Sequence, residues 1–175
     1  MHNTARLLLV AALATSCCAA FADDEHAHGH AHPARGSAAK GQTDWGMPGP
    51  AAAARRTIRV TASDAMRFTP AIVEVGEGET VRFVLRNDGK LPHEMVLGTK
   101  QALDAHAARM REGHGMAHEH HEDASAVHVA PGETATLVWT FNRPGQFDFA
   151  CLIPGHYEAG MVGQVRVLPR EGHRH

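Results

Sequence analysis

The sequence predicts an all-β domain, a sandwich of two sheets, with one short helix and a His/Met-rich loop inserted ahead of its C-terminal strands. Three observations predict it. From Arg56 onward apolar and polar residues alternate in short runs, Gly- and Pro-containing turn signals punctuate those runs, and a single stretch has helical spacing. At 175 residues, 43% of them hydrophobic, the chain supports one domain with one modest core. A formal net charge of −2 gives no basic footprint for nucleic acid. Histidine is the outlier in composition, at 15 residues.

Residues 1–22 place Arg6 before the apolar run Leu7 to Ala14 and end in Ala20-Phe21-Ala22, which reads as a secretory signal cleaved before Asp23. The apolar run is too short to span a bilayer, so no membrane span is expected. Cys17 and Cys18 leave a lipid-anchored N-terminus as an alternative, although Ala14-Thr15-Ser16 is a poor lipoprotein box. Both alternatives imply export, and a periplasmic location is expected. Residues 23–55 carry Asp-Asp-Glu, then His26, His28, His30 and His32 on alternate positions, then Ala, Gly and Pro without periodicity; they read as a disordered linker. Its imidazoles fit either a solvated polar tail or a chelator of copper, zinc or nickel.

The domain is expected over 56–169, with 170–175 as a tail. Ile58, Val60 and Ala62 form one strand face, and Val81, Phe83 and Leu85 another; shorter strands are expected over Met66 to Thr69 and Ile72 to Val75. Gly76-Glu-Gly78 and Asn87-Asp88-Gly89 mark turns. Ala135, Leu137, Trp139 and Phe141 share a face between Pro131-Gly132 and Pro144-Gly145. Phe147, Phe149 and Cys151 then share a parity, as do Met161, Val165 and Val167, so Cys151 faces the core at a strand end and Met161 re-enters it at the next strand. About seven such strands make a two-sheet sandwich. Residues 100–112 break the pattern, with Leu103, Ala107 and Met110 at helical spacing, Lys100 and Asp104 at i,i+4, and Gly113 as a stop. A loop bearing His114, Met116, His118, His120, His121 and, further on, His128 follows. With His106 and Met110 on the helix, these residues form either a second, weaker copper site or a set of solvated side chains.

The stretch Cys151-Leu-Ile-Pro-Gly-His156-Tyr-Glu-Ala-Gly-Met161 offers a thiolate, an imidazole and a thioether at even spacing. Sulfur ligands of this kind select copper over harder ions, and one Cys with two His and a weak axial Met defines a blue-copper site. The second imidazole is expected from His93, which follows an apolar strand and a turn. With the signal removed, Cys151 is left without an internal disulfide partner, which points to a special thiol or an intermolecular bridge; a buried, inert Cys is the alternative.

Over roughly Arg56 to Pro169 these residues resemble the cupredoxin family, the small blue copper proteins that include plastocyanin, azurin, auracyanin and rusticyanin. The resemblance implies a Greek-key β-sandwich with one type 1 copper at one end, held by His93, Cys151, His156 and axial Met161. The chain departs from the family at Glu94, where many members carry an Asn that ties the first His loop to the Cys loop; the departure bears on hydrogen bonding and reduction potential and removes no ligand. The His/Met-rich segments look more like the periplasmic cupredoxins of bacterial copper tolerance. Two functions follow as expectations, copper tolerance or handling, and electron transfer with a redox protein docking at the apolar residues Pro92, Leu152, Ile153 and Pro154 around His156. No catalytic, water-binding metal site with paired bases is visible in the sequence, and an enzyme is not expected. Tyr157 reads as a packing residue or part of the patch rim, not as a redox group.

Overall fold

The structure, a computed structural model, describes residues 41–112 and 123–170. Ten strands and one helix follow in the order β1 (Met47–Pro48), β2 (Arg56–Ser63), β3 (Arg67–Thr69), β4 (Ile72–Gly76), β5 (Glu79–Asn87), β6 (His93–Gly98), α1 (Lys100–Arg111), β7 (Ala126–Val129), β8 (Thr134–Phe141), β9 (Gly145–Ala150) and β10 (Val162–Leu168). They build two five-stranded sheets, β1-β8-β5-β2-β3 and β4-β10-β9-β6-β7. The parallel pairs β2 with β5 and β4 with β10 show that the chain crosses between sheets instead of meandering along one.

The period-two pattern explains what lies between the sheets. On β5 and β8 the register sets Val81 against Trp139 and Phe83 against Leu137, so both strands turn the same parity inward. Phe83 and Phe141 meet edge-on at 6.1 Å, and Phe68 of the first sheet meets Phe149 of the second at 5.2 Å. The sandwich core therefore closes around aromatic rings, and Cys151 and Met161, both fully buried, belong to the same cluster.

A second cluster lies on the other face of β6 and β9. Val96, Ala150 and Leu152 pack there under Leu103 and Ala107 of α1. The helix forms where its spacing predicts, capped by Thr99, whose side chain accepts from the Ala102 backbone N–H at 3.2 Å. Lys100 and Asp104 pair at 2.6 Å. Among the described residues no helix is long and apolar enough to cross a membrane.

The expected boundary at Arg56 is corrected. Part of the expected linker, from residue 41 on, lies against the sandwich: Met47 and Pro48 pair with Thr140 and Trp139, Trp45 packs on the core, and its carbonyl accepts from the Trp139 indole N–H at 3.0 Å. A two-residue edge strand carries no periodicity to read, and Pro is tolerated there because an edge position needs no ladder donor. At the other end β10 stops at Leu168, and Arg170, assigned to the tail, donates its backbone N–H to Glu77 at 3.1 Å. The expected signal 1–22, residues 23–40 of the linker and residues 171–175 lie outside the described residues.

Gly163 sits opposite Phe149 across β9 and β10, and a Cβ there would overlap the Phe149 ring. That ring is fully buried and held edge-on by Phe68, so it has no room to retreat. Gly163→Ala is therefore expected to lower unfolding stability by about 1–3 kcal/mol, the usual range for overpacking, measured as a fall in the denaturant midpoint. An unchanged midpoint would show that the ring shifts freely.

Candidate metal centre

Four sequence-predicted residues arrive at one end of the sandwich. His93 opens β6, Cys151 directly follows β9, His156 sits in the loop that follows, and Met161 directly precedes β10. Donor atoms of His93, Cys151 and His156 all lie within 4.8 Å of one another. Cys151 Sγ is 3.3 Å from His156 Nδ1, and the two imidazole centroids are 5.1 Å apart. Met161 is fully buried in the cluster that holds Cys151. Its backbone N–H donates to His156 O at 3.1 Å and its carbonyl accepts from Cys151 N–H at 3.1 Å, which fixes its place relative to both.

His93 is oriented by its far nitrogen. Nε2 lies 3.3 Å from Asp64 Oδ1. Asp64 is itself held by the backbone N–H groups of Lys90 at 2.7 Å and Leu91 at 3.2 Å, and these two bonds, more than His93, keep its carboxyl below the ordinary carboxylate range. The approach needs Gly89, because a Cβ at that position would overlap the Asp64 carboxylate. Asn87, read in the sequence only as a turn signal, is fully buried and shapes the same loop: its amide donates to Leu91 O at 2.7 Å and Val129 O at 3.2 Å. With Nε2 so engaged, Nδ1 of His93 is buried and has no hydrogen-bond partner. A buried nitrogen left unpaired is costly unless something else takes its lone pair. Beside a thiol and a second imidazole, that something fits a soft or borderline metal ion.

Glu94, where the chain departs from the family it resembles, makes a tie of its own. It is buried, its Oε1 accepts from Leu152 N–H at 2.8 Å, and its Oε2 lies 3.0 Å from His128 Nδ1. The strand bearing His93 is thus fastened to the residue after Cys151. Cys151 is a free, fully buried thiol, and burial pushes its pKa up to about 11 in the metal-free chain, against the pull of the Glu94 and Ile153 backbone N–H groups. His156 is shifted down, first by burial and then by nearby His93, which favours the neutral imidazole a metal requires.

Of the apolar residues expected around His156, Leu152 is buried under α1 and Ile153 packs against the core, while Pro92 and Pro154 lie on the surface with Leu91, which is 44% exposed. Tyr157 packs on the second cluster, and its hydroxyl also donates to Asp104 at 2.6 Å. Asp64 was not singled out in the sequence, because an acid in a turn signals nothing until the fold brings it to His93. Of the further copper candidates, His106 lines a cavity with Trp45 and Asp123, Met110 is buried, and His128 is engaged by Glu94. Among the described residues they join no second group of three His, Cys, Asp or Glu donors. His26, His28, His30, His32, His114, Met116, His118, His120 and His121 lie outside the described residues.

Comparison with known proteins agrees with this geometry. Residues 55–168 match the family described as copper binding proteins, plastocyanin/azurin family. The chain is 53% identical over 161 residues to the copper-resistant cuproprotein CopI of Rubrivivax gelatinosus, covering 92% of this chain and 94% of that protein. It is 44% identical over 162 residues to CopI of Pseudomonas aeruginosa, covering 78% and 88%. In fold it is similar to the crystal structure of reduced auracyanin from Roseiflexus castenholzii, with a TM-score of 0.57 at 22% identity, covering 66% of this chain and 99% of that one.

The raised thiol gives a pH dependence. Cys151 ordinarily titrates near 9.0 and in the metal-free fold near 11, so its contribution to stability is complete below pH 9 and is lost as pH rises to 11. The loss amounts to roughly 2–3 kcal/mol. Tyr157, pushed up to about 12 by burial and by Asp104, acts with the same sign about a unit higher. Denaturant midpoints of the metal-free chain should fall between pH 9 and 11, and Cys151→Ala should flatten much of that fall.

Proposed function

We propose that this chain, which belongs to the plastocyanin/azurin family of copper-binding proteins, holds one type 1 copper ion on His93, Cys151 and His156 with Met161 as the weak axial ligand, and serves copper tolerance as an exported, redox-active protein. The observation that carries the ligand reading is the unpaired, buried Nδ1 of His93 facing the same small space as a buried thiol and a second imidazole. The tolerance reading is supported by relatives named copper-resistant cuproproteins and by the His/Met-rich segments of this sequence. The signal-like residues 1–22 support export to the periplasm. The names of those relatives also favour a binding protein over an enzyme.

When bound, copper supplies a one-electron change between Cu(II) and Cu(I). Everything else in the mechanism belongs to the side chains. Asp64 keeps the proton of His93 on Nε2, so Nδ1 presents its lone pair. Cys151 gives up its proton to bind as a thiolate, and His156 is already favoured in its neutral form. Glu94 and the backbone bonds among Cys151, His156 and Met161 hold these donors in one arrangement. A donor set that cannot relax toward either oxidation state keeps reorganisation small.

A second reading, an electron carrier between redox partners, is favoured by the half-buried His156, which lies beside the exposed Pro154 and the partly buried Ile153. These apolar residues would give a redox protein a place to approach the imidazole edge. The two readings separate on the His segments, whose imidazoles would take up extra copper at neutral pH and lose it as pH falls below about 6.5.

Loading with Cu(II) should give intense visible charge-transfer absorption that Cys151→Ser abolishes; Met161→Leu should keep the colour and raise the reduction potential, because a long axial thioether tunes potential more than affinity. A colourless complex of the unaltered chain would sink the ligand assignment.

In cells, removing residues 23–32 and replacing His114, His118, His120 and His121 by Asn should lower copper tolerance and leave the visible spectrum intact. Unchanged tolerance, with a bound stoichiometry of one copper before and after, would favour the electron carrier.

A further inference from the structure

The helix α1 reaches past the sheet it covers to the loop that carries His156. Tyr157 Oη donates to Asp104 Oδ1 at 2.6 Å, and Arg111 Nη1 donates to Glu158 Oε1 at 2.9 Å. Tyr157 and Glu158 directly follow His156 in the chain. Each contact is braced behind: Asp104 by Lys100 at 2.6 Å, and Glu158 by the Gly155 N–H, which donates to its second oxygen at 3.0 Å. Below them the Tyr157 ring packs on the cluster of Leu103, Ala107 and Leu152. On the opposite flank Arg67 donates to the carbonyls of Ala159 and Gly160 at 2.9 and 3.3 Å.

The loop between Cys151 and Met161 contains no strand; turns stitched by His156 N–H to Ile153 O at 2.9 Å and Gly160 N–H to Tyr157 O at 2.9 Å give it shape. Gly155 and Gly160 flank its centre with φ of +91° and +86°, values that suit glycine. Its two ends, by contrast, are fixed by the pairing of β9 with β10. His156 is therefore the donor that side-chain contacts from outside the loop help to hold, beside the loop's own backbone bonds, whereas His93 and Cys151 adjoin paired strands.

We propose that α1 acts as a latch on this loop, with Asp104 and Arg111 as positioning residues that, through Tyr157 and Glu158, keep His156 in the donor set and limit how fast copper leaves. The latch rests on the reading of His156 as a copper ligand. It governs rate, not ligand identity, because undoing it frees one imidazole while His93 and Cys151 stay in place. Exposed pairs of this kind individually shift an equilibrium by no more than about fivefold, so both contacts must be broken together to expose the effect.

The test is the full chain carrying Tyr157→Phe and Arg111→Gln, changes that keep the ring and most of the Arg stem. In the copper-free protein, amide hydrogen exchange over residues 155–160 should quicken about three- to tenfold while β5 and β8 keep their rates. In the protein loaded with Cu(I), transfer of the ion to a colorimetric Cu(I) chelator should quicken by a similar factor, and Arg111→Lys in place of Arg111→Gln should restore much of the original rate. Unchanged loop exchange overturns the latch whatever the metal does. Faster exchange with an unaltered transfer rate overturns it too, since the loop would then not limit release. Failure of the ligand reading is seen separately, as a colourless copper complex of the unaltered chain.

Discussion

The hydrogen bond from the Leu152 backbone N–H to Glu94 is the constraint from which the rest of the site follows. Strands β6 and β9 pair from Gly98 with Asp148 up to Val96 with Ala150. Past that point the donors His93 and Cys151 occupy the two chain ends, and a buried side-chain carboxyl takes over the role of the ladder. Because it fastens the residue after His93 to the residue after Cys151, it sets their separation without filling the space between them. A buried carboxyl oxygen must be satisfied to be tolerated, and Leu152 and His128 supply a partner for each.

From that tie the two faces of the second sheet acquire different work. Its inner face gives Met95, Leu97, Phe149 and Cys151 to the aromatic core, and its outer face gives Val96, Ala150 and Leu152 to the helix. Alternate residues of one strand therefore serve the metal centre and the element that covers it. Substitution on either face reaches the donors through a single backbone.

Much of this was legible in the sequence because its signals are local. Cys151, His156 and Met161 are ligand types at regular spacing within one loop, the strands are written in period two, and the helix in its apolar spacing and Lys100–Asp104 pair. What escaped depends on residues far apart in the chain. Asp64 meets His93 across 29 positions, and the role of Asn87 beneath the loop appears only once β5, β6 and β7 have been assembled. Trp45 and Met47 escaped for a different reason, since a two-residue edge strand between Gly46 and Gly49 has no pattern to detect.

The burial of Cys151 has a consequence for the protein before it meets copper. A thiol reacts with oxidants and disulfides as its thiolate and through contact with solvent, and here full burial suppresses both. In an oxidising compartment an unpaired cysteine is ordinarily a liability, open to sulfenic acid formation or to bridging with a neighbour. This one is kept protonated and out of reach by the same aromatic core that will later exclude water from the metal. The metal-free chain can thus stay chemically intact until a metal ion reaches it.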